Sequence, residues 1–395
     1  MNLKIQLRRL NAFGFAACLR IPDAIWVVLL AARGFSLWQI GLAEGIFHIV
    51  SLICEIPSGM AADLMGRRRS MAAAGICGLV SALLMAFAEG FAGVCVSMAF
   101  SALACTFVSG SDEALLYDSL LQAGREQEHL RVNARYARVQ NLGSMLSNAA
   151  SLLAGVLSYV RIYLVDGAVC LARTLLALSL TEPTVTENQA QRQAHPFRDL
   201  GKRFCEHVSQ VAAFLRGSPR AAVLMLADGL LCLPSYLTLM FLQQRLSEQG
   251  FQAMWLGLPV MCISFSRMVG TALGERLQPR GIRGLYIVCA LIVGSGTIIA
   301  GAAAVVPAVL GAMAAAGAMD AWMLHLQKYL NKLFPSDRRA TLVSVNMMAY
   351  SLLMIAASPL VGWLGDVYGS AGVGLCALGA VVALSGAAGL LRGRR

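Results

Sequence analysis

Gly59-Met60-Ala61-Ala62-Asp63-Leu64-Met65-Gly66-Arg67-Arg68-Arg69 sits between two apolar stretches, 37–60 and 70–89, each about the 20 residues that a helix needs to cross hydrocarbon. The cluster brings a flexible glycine turn, one carboxylate and three guanidinium groups to a membrane surface. A hairpin of that composition can be locked by charge and released. Gly59, Asp63, Gly66, Arg67 and Arg68 are the expected gating residues. Asp118, which ends the fourth apolar stretch on the same side of the membrane, is their expected acidic partner.

Away from this loop the chain keeps the same character. Of its 395 residues 58% are hydrophobic and 13% are charged, a composition outside the soluble globular range. About 12 spans of membrane length are expected, at 10–32, 37–60, 70–89, 91–117, 136–160, 162–181, 220–244, 252–274, 284–303, 305–327, 341–364 and 370–391. Backbone polar groups find no water in lipid, so these spans must be helices. Residues 1–10 are too few and too polar for a cleaved signal peptide, and the first span is expected to be retained.

A net charge of +11 could suggest nucleic acid, but the basic residues sort by side of the membrane instead of gathering in one patch. With the N-terminus inside, about 26 of the 32 Lys and Arg are cytoplasmic and about 3 are outside (Arg33, Arg161, Arg245), as the positive-inside bias requires. The expected location is a cell inner (plasma) membrane, multi-pass, with both termini cytoplasmic. No nucleic acid partner is expected. The 11 cysteines are scattered singly, mostly within spans, and read as small hydrophobes. No metal-ligand spacing or phosphate-binding loop occurs, so no metal, cofactor or nucleotide hydrolysis is expected.

Gly59-x-x-x-Asp63-x-x-Gly66-Arg67-Arg68 resembles the signature loop of the major facilitator superfamily of secondary transporters. The likeness extends over nearly the whole chain, through Glu55-Ile56-Pro57-Ser58-Gly59, Ser109-Gly110-Ser111 with Leu116-Tyr117-Asp118-Ser119-Leu120, and Arg338-Arg339-Ala340-Thr341 with Ser358-Pro359-Leu360-Val361-Gly362. It implies an all-α membrane protein of about 12 transmembrane helices in two pseudo-symmetric six-helix bundles. The expected division is an N-terminal bundle at 1–181, a cytoplasmic linker at 182–218 and a C-terminal bundle at 219–395. Within the linker, apolar residues between Phe197 and Leu215 recur near helical spacing beside Arg198, Lys202 and Arg203. That stretch reads either as an amphipathic helix on membrane lipid or as a solvated tether. Gly274-Glu275-Arg276 is a degraded echo of the signature. Gly362-x-x-x-Asp366-x-x-Gly369 copies its spacing on the outer side without the arginines, and reads as a capped helix end. One departure concerns direction: Asn141 to Leu157 lacks the proline of the pattern typical of span five in proton-driven exporters.

An ionisable group at the bilayer centre costs about 2.5–3.5 kcal/mol on insertion scales, so each one needs a partner, a wet cavity or a function. Glu44, His48, Ser51 and Glu55 share one helical face. Folding the hairpin at Gly34–Leu37 brings Arg20 and Asp23 to the depth of Glu44 and His48. Glu44, Asp23 and His48 are therefore the expected proton-coupling group, with a local Arg20–Asp23 ion pair and a core role for His48 as the plainer readings. The expected substrate cavity takes Arg20, Asp112, Glu113, Arg138, Asn141 and Asn148 from the first half, and Asp228, Tyr236, Arg267, Asp320, Asn346 and Tyr350 from the second. Asp166 and Arg173 read as structural, and Asp320 has Lys328 two turns on as a possible partner.

The function expected from these residues is secondary active transport of a small organic solute by a monomer, through alternating access and coupled to protons. Efflux of lipophilic or cationic compounds by antiport comes first, because 18 methionines suit an adaptable lining and the carboxylates suit a cation. Uptake of a polar or anionic metabolite, with Arg20, Arg138 or Arg267 as anion partner, is the alternative. A non-transporting membrane sensor or assembly protein is a third reading. An enzyme is not expected, since no nucleophile, base and orienting group fall together.

Overall fold

Apolar runs of membrane length become helices wherever nothing interrupts their backbone hydrogen bonding, and in the computed structural model of the protein they do so over almost every expected span. The structure describes residues 2–183, 209, 216–217, 219–277, 279, 281–333 and 339–392, without the side chains of 56, 63, 64, 219–221, 330–333, 339–345 and 390–392. Most of the 182–218 linker, including its amphipathic stretch, lies outside them. The helices are α1 (Leu3–Cys18), α2 (Trp26–Ala32), α3 (Leu37–Met65), α4 (Arg67–Phe87), α5 (Phe91–Val108), α6 (Ser111–Gln122), α7 (His129–Ala149), α8 (Tyr159–Ser179), α9 (Pro219–Glu248), α10 (Gly257–Arg276), α11 (Ile282–Ala302), α12 (Val305–Leu333), α13 (Arg339–Tyr368) and α14 (Ala371–Arg392). Among the described residues there is no strand, and 10 helical segments are long and apolar enough to cross a membrane.

The two expected spans missing from those 10 are the first and the fifth, and each is interrupted. The span expected at 10–32 is α1, a non-helical segment at 19–25 and then α2. Pro22 has no N–H to offer a helix, and the freed backbone groups are taken up by side chains: Ile21 N–H donates to Asp166 Oδ1 at 3.0 Å, and Ser147 Oγ donates to the Arg20 carbonyl. The span expected at 136–160 is α7 followed by a 3₁₀ stretch, Ala150–Gly155. The fourth span also breaks, at Gly110, where φ is +68°. Two further expectations need correction. Gly59 lies inside α3 and has no part in a turn, while Arg67–Arg69 form the first turn of α4 and not a loop.

The chain forms two compact units. Met1–Ala24 groups with Ile46–Ser209, and Ile25–Gly45 groups with Gln210–Arg395. The first unit centres on Leu10, Phe13, Met71, Leu115, Leu116, Leu120 and Tyr136, where α1, α4, α6 and α7 meet. The second centres on Leu231, Leu285, Val293, Met319, Trp322 and Val382 of α9, α11, α12 and α14. Lipid tails are as apolar as a leucine side chain, so helices in a membrane gain little by burying leucine against leucine and associate through close packing. The α11–α14 crossing shows the result. A Cβ added at Gly379 would stand 2.6 Å from the Gly294 carbonyl and 2.9 Å from the Ile298 backbone N, neither of which can swing aside.

Gly379→Val is accordingly expected to lose about 1–3 kcal/mol of stability, the usual cost of overpacking. A thermal midpoint in detergent several degrees below the parent would register it, and an unchanged midpoint would show that the crossing is looser than its backbone contacts imply.

Candidate functional site

α3 stops at Met65 because Gly66 takes φ +90°, and α4 begins at the next residue. Glycine has no side chain with which to cap α4. Glu182 supplies the cap, its two carboxylate oxygens accepting the backbone N–H groups of Arg67 and Arg68 at 2.8 Å each. Bare donors and the positive end of the helix dipole both favour an anion there. The segment that carries Glu182 is strapped down. Gln6 donates to the Thr181 carbonyl at 2.9 Å and accepts the Thr181 N–H at 3.0 Å, and Arg9 bonds the Ser179 carbonyl.

Arg67 Nη1 meets Asp118 Oδ2 at 2.5 Å, with the two side chains 22% and 15% exposed. At that depth a lost partner leaves a partly desolvated charge, so the pair is worth more than the ~0–1 kcal/mol of an open surface pair. The Asp63 side chain lies outside the described residues. Arg68 is half-buried, with Nε enclosed and lacking a hydrogen-bond partner among the described residues.

Within the first unit Arg20 and Asp23 pair at 3.3 Å, but both are nearly half exposed, at 46% and 44%. Such a pair contributes ~0–1 kcal/mol. Arg20 also reaches Ser101 Oγ at 3.4 Å. Asp112, expected in the cavity, is instead a buried brace between α6 and α7, accepting from Tyr136 Oη at 2.8 Å and Gln140 Nε2 at 3.3 Å. Its position at the start of α6 explains this, since a carboxylate in the first turn is held by helix donors and by whatever packs there. Glu113, Arg138 and Asn141 are exposed and Asn148 is half-buried, with Arg138 Nε bonding the Ala134 carbonyl of its own helix. Asp166 and Arg173 are structural, the first capping the break in span one and the second donating to the Ala74 carbonyl at 2.7 Å.

The second unit holds the denser polar cluster. Asp228 is 2% exposed and accepts from Trp322 Nε1 at 2.9 Å and from Asn346 Nδ2 at 2.7 Å. Asn346 Oδ1 is buried with no hydrogen-bond partner among the described residues. Arg267 forks onto Asp320 through Nε at 3.1 Å and Nη2 at 3.3 Å, which makes Arg267, and not Lys328, the partner of that carboxylate. Tyr350 lies one turn from Asn346 on the same face of α13 and within electrostatic reach of Glu44 and Arg267. Glu44 is buried and Tyr236 is exposed. His48 is also buried, edge-on to Phe47 at 5.4 Å, but it groups with Asp23 in the first unit while Glu44 belongs to the second.

Three residues here were not singled out from sequence. Glu182 is the first residue of a polar stretch, and nothing local distinguishes it from a linker glutamate. Trp322 and Gln140 matter through partners 94 and 28 residues away. Only Trp322 had a visible signal, as a lone indole, which needs an acceptor once buried.

A model of the Major Facilitator Superfamily matches residues 10–352. An uncharacterised MFS-type transporter of Bacillus subtilis (strain 168), YxaM, is 23% identical over 369 residues, covering 92% of this chain and 88% of the relative. Among solved structures, the nucleoside transporter NupG superposes with a TM-score of 0.77 at 17% identity, over 99% of each chain. A single-residue mutant of NupG gives 0.78, again at 17% identity, over 98% of this chain and 100% of that one. A POT family transporter in complex with 5-aminolevulinic acid gives 0.67 at 12% identity, over 98% of this chain and 94% of that one.

Glu182→Ala is expected to cost about 1 kcal/mol through loss of the α4 cap. Glu182→Gln, which can still accept one N–H, should cost less. Thermal melting of the two variants checks the order, and equal melting points would place the stabilisation elsewhere.

Proposed function

Because the chain belongs to the major facilitator superfamily, we propose that it carries a polar, hydrogen-bonding solute of nucleoside type inward by alternating access, driven by protons. The observation that carries this reading is the Asp228–Trp322–Asn346 group, a buried carboxylate held in place beside an open amide acceptor, Asn346 Oδ1. A solute with N–H or O–H donors would satisfy that acceptor. A lipophilic one would leave it unpaired, at about 1–3 kcal/mol. The likeness to a nucleoside transporter over the full chain supports the same class.

Two features count against the other solutes considered. Of the 18 methionines argued to line an adaptable drug cavity, seven (Met71, Met85, Met98, Met225, Met240, Met319 and Met354) are buried. Two of the three arginines argued to hold an anion, Arg20 and Arg267, are paired with Asp23 and Asp320. A second reading, export of a cation, is favoured by three carboxylates in the spans of the second unit, Glu44, Asp228 and Asp320, of which Asp320 is paired with Arg267.

Glu44 is the group we assign to proton coupling. Asp63, Arg67 and Asp118 are assigned to the gate on the side rich in basic residues.

Purified protein should be stabilised against heat by nucleosides in proportion to occupancy, by about 2.7 kcal/mol at a hundredfold excess over Kd. In proteoliposomes an acid-outside gradient should drive their accumulation. Stabilisation by lipophilic cations alone, with outward movement, would replace this reading by the second one. Glu44→Gln should keep counterflow exchange but lose gradient-driven accumulation; a full response to an imposed pH gradient in that variant would move the coupling site to Asp228 or Asp320.

A further inference from the structure

Gly362-x-x-x-Asp366-x-x-Gly369 repeats the spacing of the signature loop. The helix that Asp366 caps is not its own. Asp366 sits near the C-terminal end of α13, and its carboxylate reaches the start of α3, accepting the backbone N–H of Leu37 at 2.9 Å and of Trp38 at 2.7 Å. Ser36 and Gln39 complete the cap reciprocally, with Ser36 N–H donating to Gln39 Oε1 at 3.0 Å and Gln39 N–H to Ser36 Oγ at 3.2 Å. The first three N–H groups of α3 are thereby accounted for, two of them by a residue more than 300 positions away.

The surrounding contacts run along the same line. Ser358 Oγ donates to the Gly41 carbonyl at 2.8 Å, and a Cβ at either Gly41 or Gly362 would collide with the facing helix, at the Ser358 carbonyl and the Leu37 carbonyl respectively. Residues 25–45, although they precede the linker, group by contact with the unit built from the last six spans. The α13–α14 turn behind Asp366 is fixed separately. Glu248 accepts from Ser370 Oγ at 2.8 Å and from the Ala371 N–H at 3.0 Å, both within the later part of the chain.

We propose that Asp366 is a gating residue, a releasable cap that holds the start of α3 against α13 and must let go each time that end of the transporter opens. The inference rests on the alternating-access reading. Three features make the cap suited to release. Asp366 is solvent-exposed, so water can replace it on Leu37 and Trp38 when it leaves. Its charge-assisted bonds run to backbone N–H groups, which no rearrangement of side chains can remove. Its partner lies on the opposite side of the linker in sequence, whereas the Glu248 cap joins elements of the second half alone. Asp366 thus serves the start of α3, and the signature loop lies at the other end of the same helix.

The test uses the purified full chain in detergent with its cysteines replaced and Ser358→Cys as reporter, a position 0% exposed in this arrangement. A hydrophilic maleimide should label the reporter about fivefold faster, or more, in Asp366→Asn, the shift in an opening equilibrium that loss of one N-cap produces. Leu37→Pro removes one of the two donors at a helix position that tolerates proline, keeps the carboxylate, and should raise the rate in the same direction. It decides the matter if Asp366→Asn does not fold. Glu248→Gln is the control for a merely structural cap; it should melt earlier without faster labelling. Wild-type labelling in the folded Asp366 and Leu37 variants, or a rise no larger than that of Glu248→Gln, would overturn the proposal. No solute or gradient enters the measurement, so a failure of nucleosides to bind leaves its outcome intact, and a negative labelling result leaves the solute assignment intact.

Discussion

The first backbone N–H groups of a helix, and those beside a break in one, have no partner within the helix, and the structure answers that constraint with carboxylates placed where helices start or break. Asp166 bonds the Ile21 N–H at the break in the first span, Glu182 caps α4, Glu248 caps α14 and Asp366 caps α3. Each carboxylate meets the positive end of a helix dipole or a freed donor, so the charge is stabilised as it stabilises the backbone. Few residues could do this work. Serine and threonine cap as well in water, but their short side chains cannot span from one helix to the start of another.

This use of acidic residues bears on how intramembrane charge is read. An ionisable group in a span is a functional candidate by default, yet Asp112 and Asp166 are occupied in holding helices together, with Tyr136 and Gln140 on the one and the Ile21 backbone on the other. Asp228 differs in kind. Its partner Asn346 keeps a buried amide oxygen, Oδ1, without a hydrogen-bond partner among the described residues. A cluster with an acceptor to spare can re-form around a solute, whereas one that supplies a helix cap can only be made or broken. Candidate binding residues and candidate gating residues separate on that basis.

The sequence by itself determined the solvent, the helical class and the sidedness expectation, because hydropathy and charge asymmetry are sums over many residues and survive local irregularity. It determined the turn at Gly66 and the pairing of Arg67 with an acidic residue, since a glycine beside three arginines at the end of a span has few other uses. It could not determine that Gly59 stays helical, that Pro22 splits the first span in two, or that Asp320 belongs to Arg267 and not to Lys328, one helix turn being indistinguishable from the next at that resolution. Which carboxylate meets which N–H was decided only by the tertiary structure. Glu182 and Asp366 act 115 and more than 300 residues away from the helix starts they cap, and a hydrogen bond between positions so far apart in the chain leaves no periodicity in the sequence, only a geometry that packing creates.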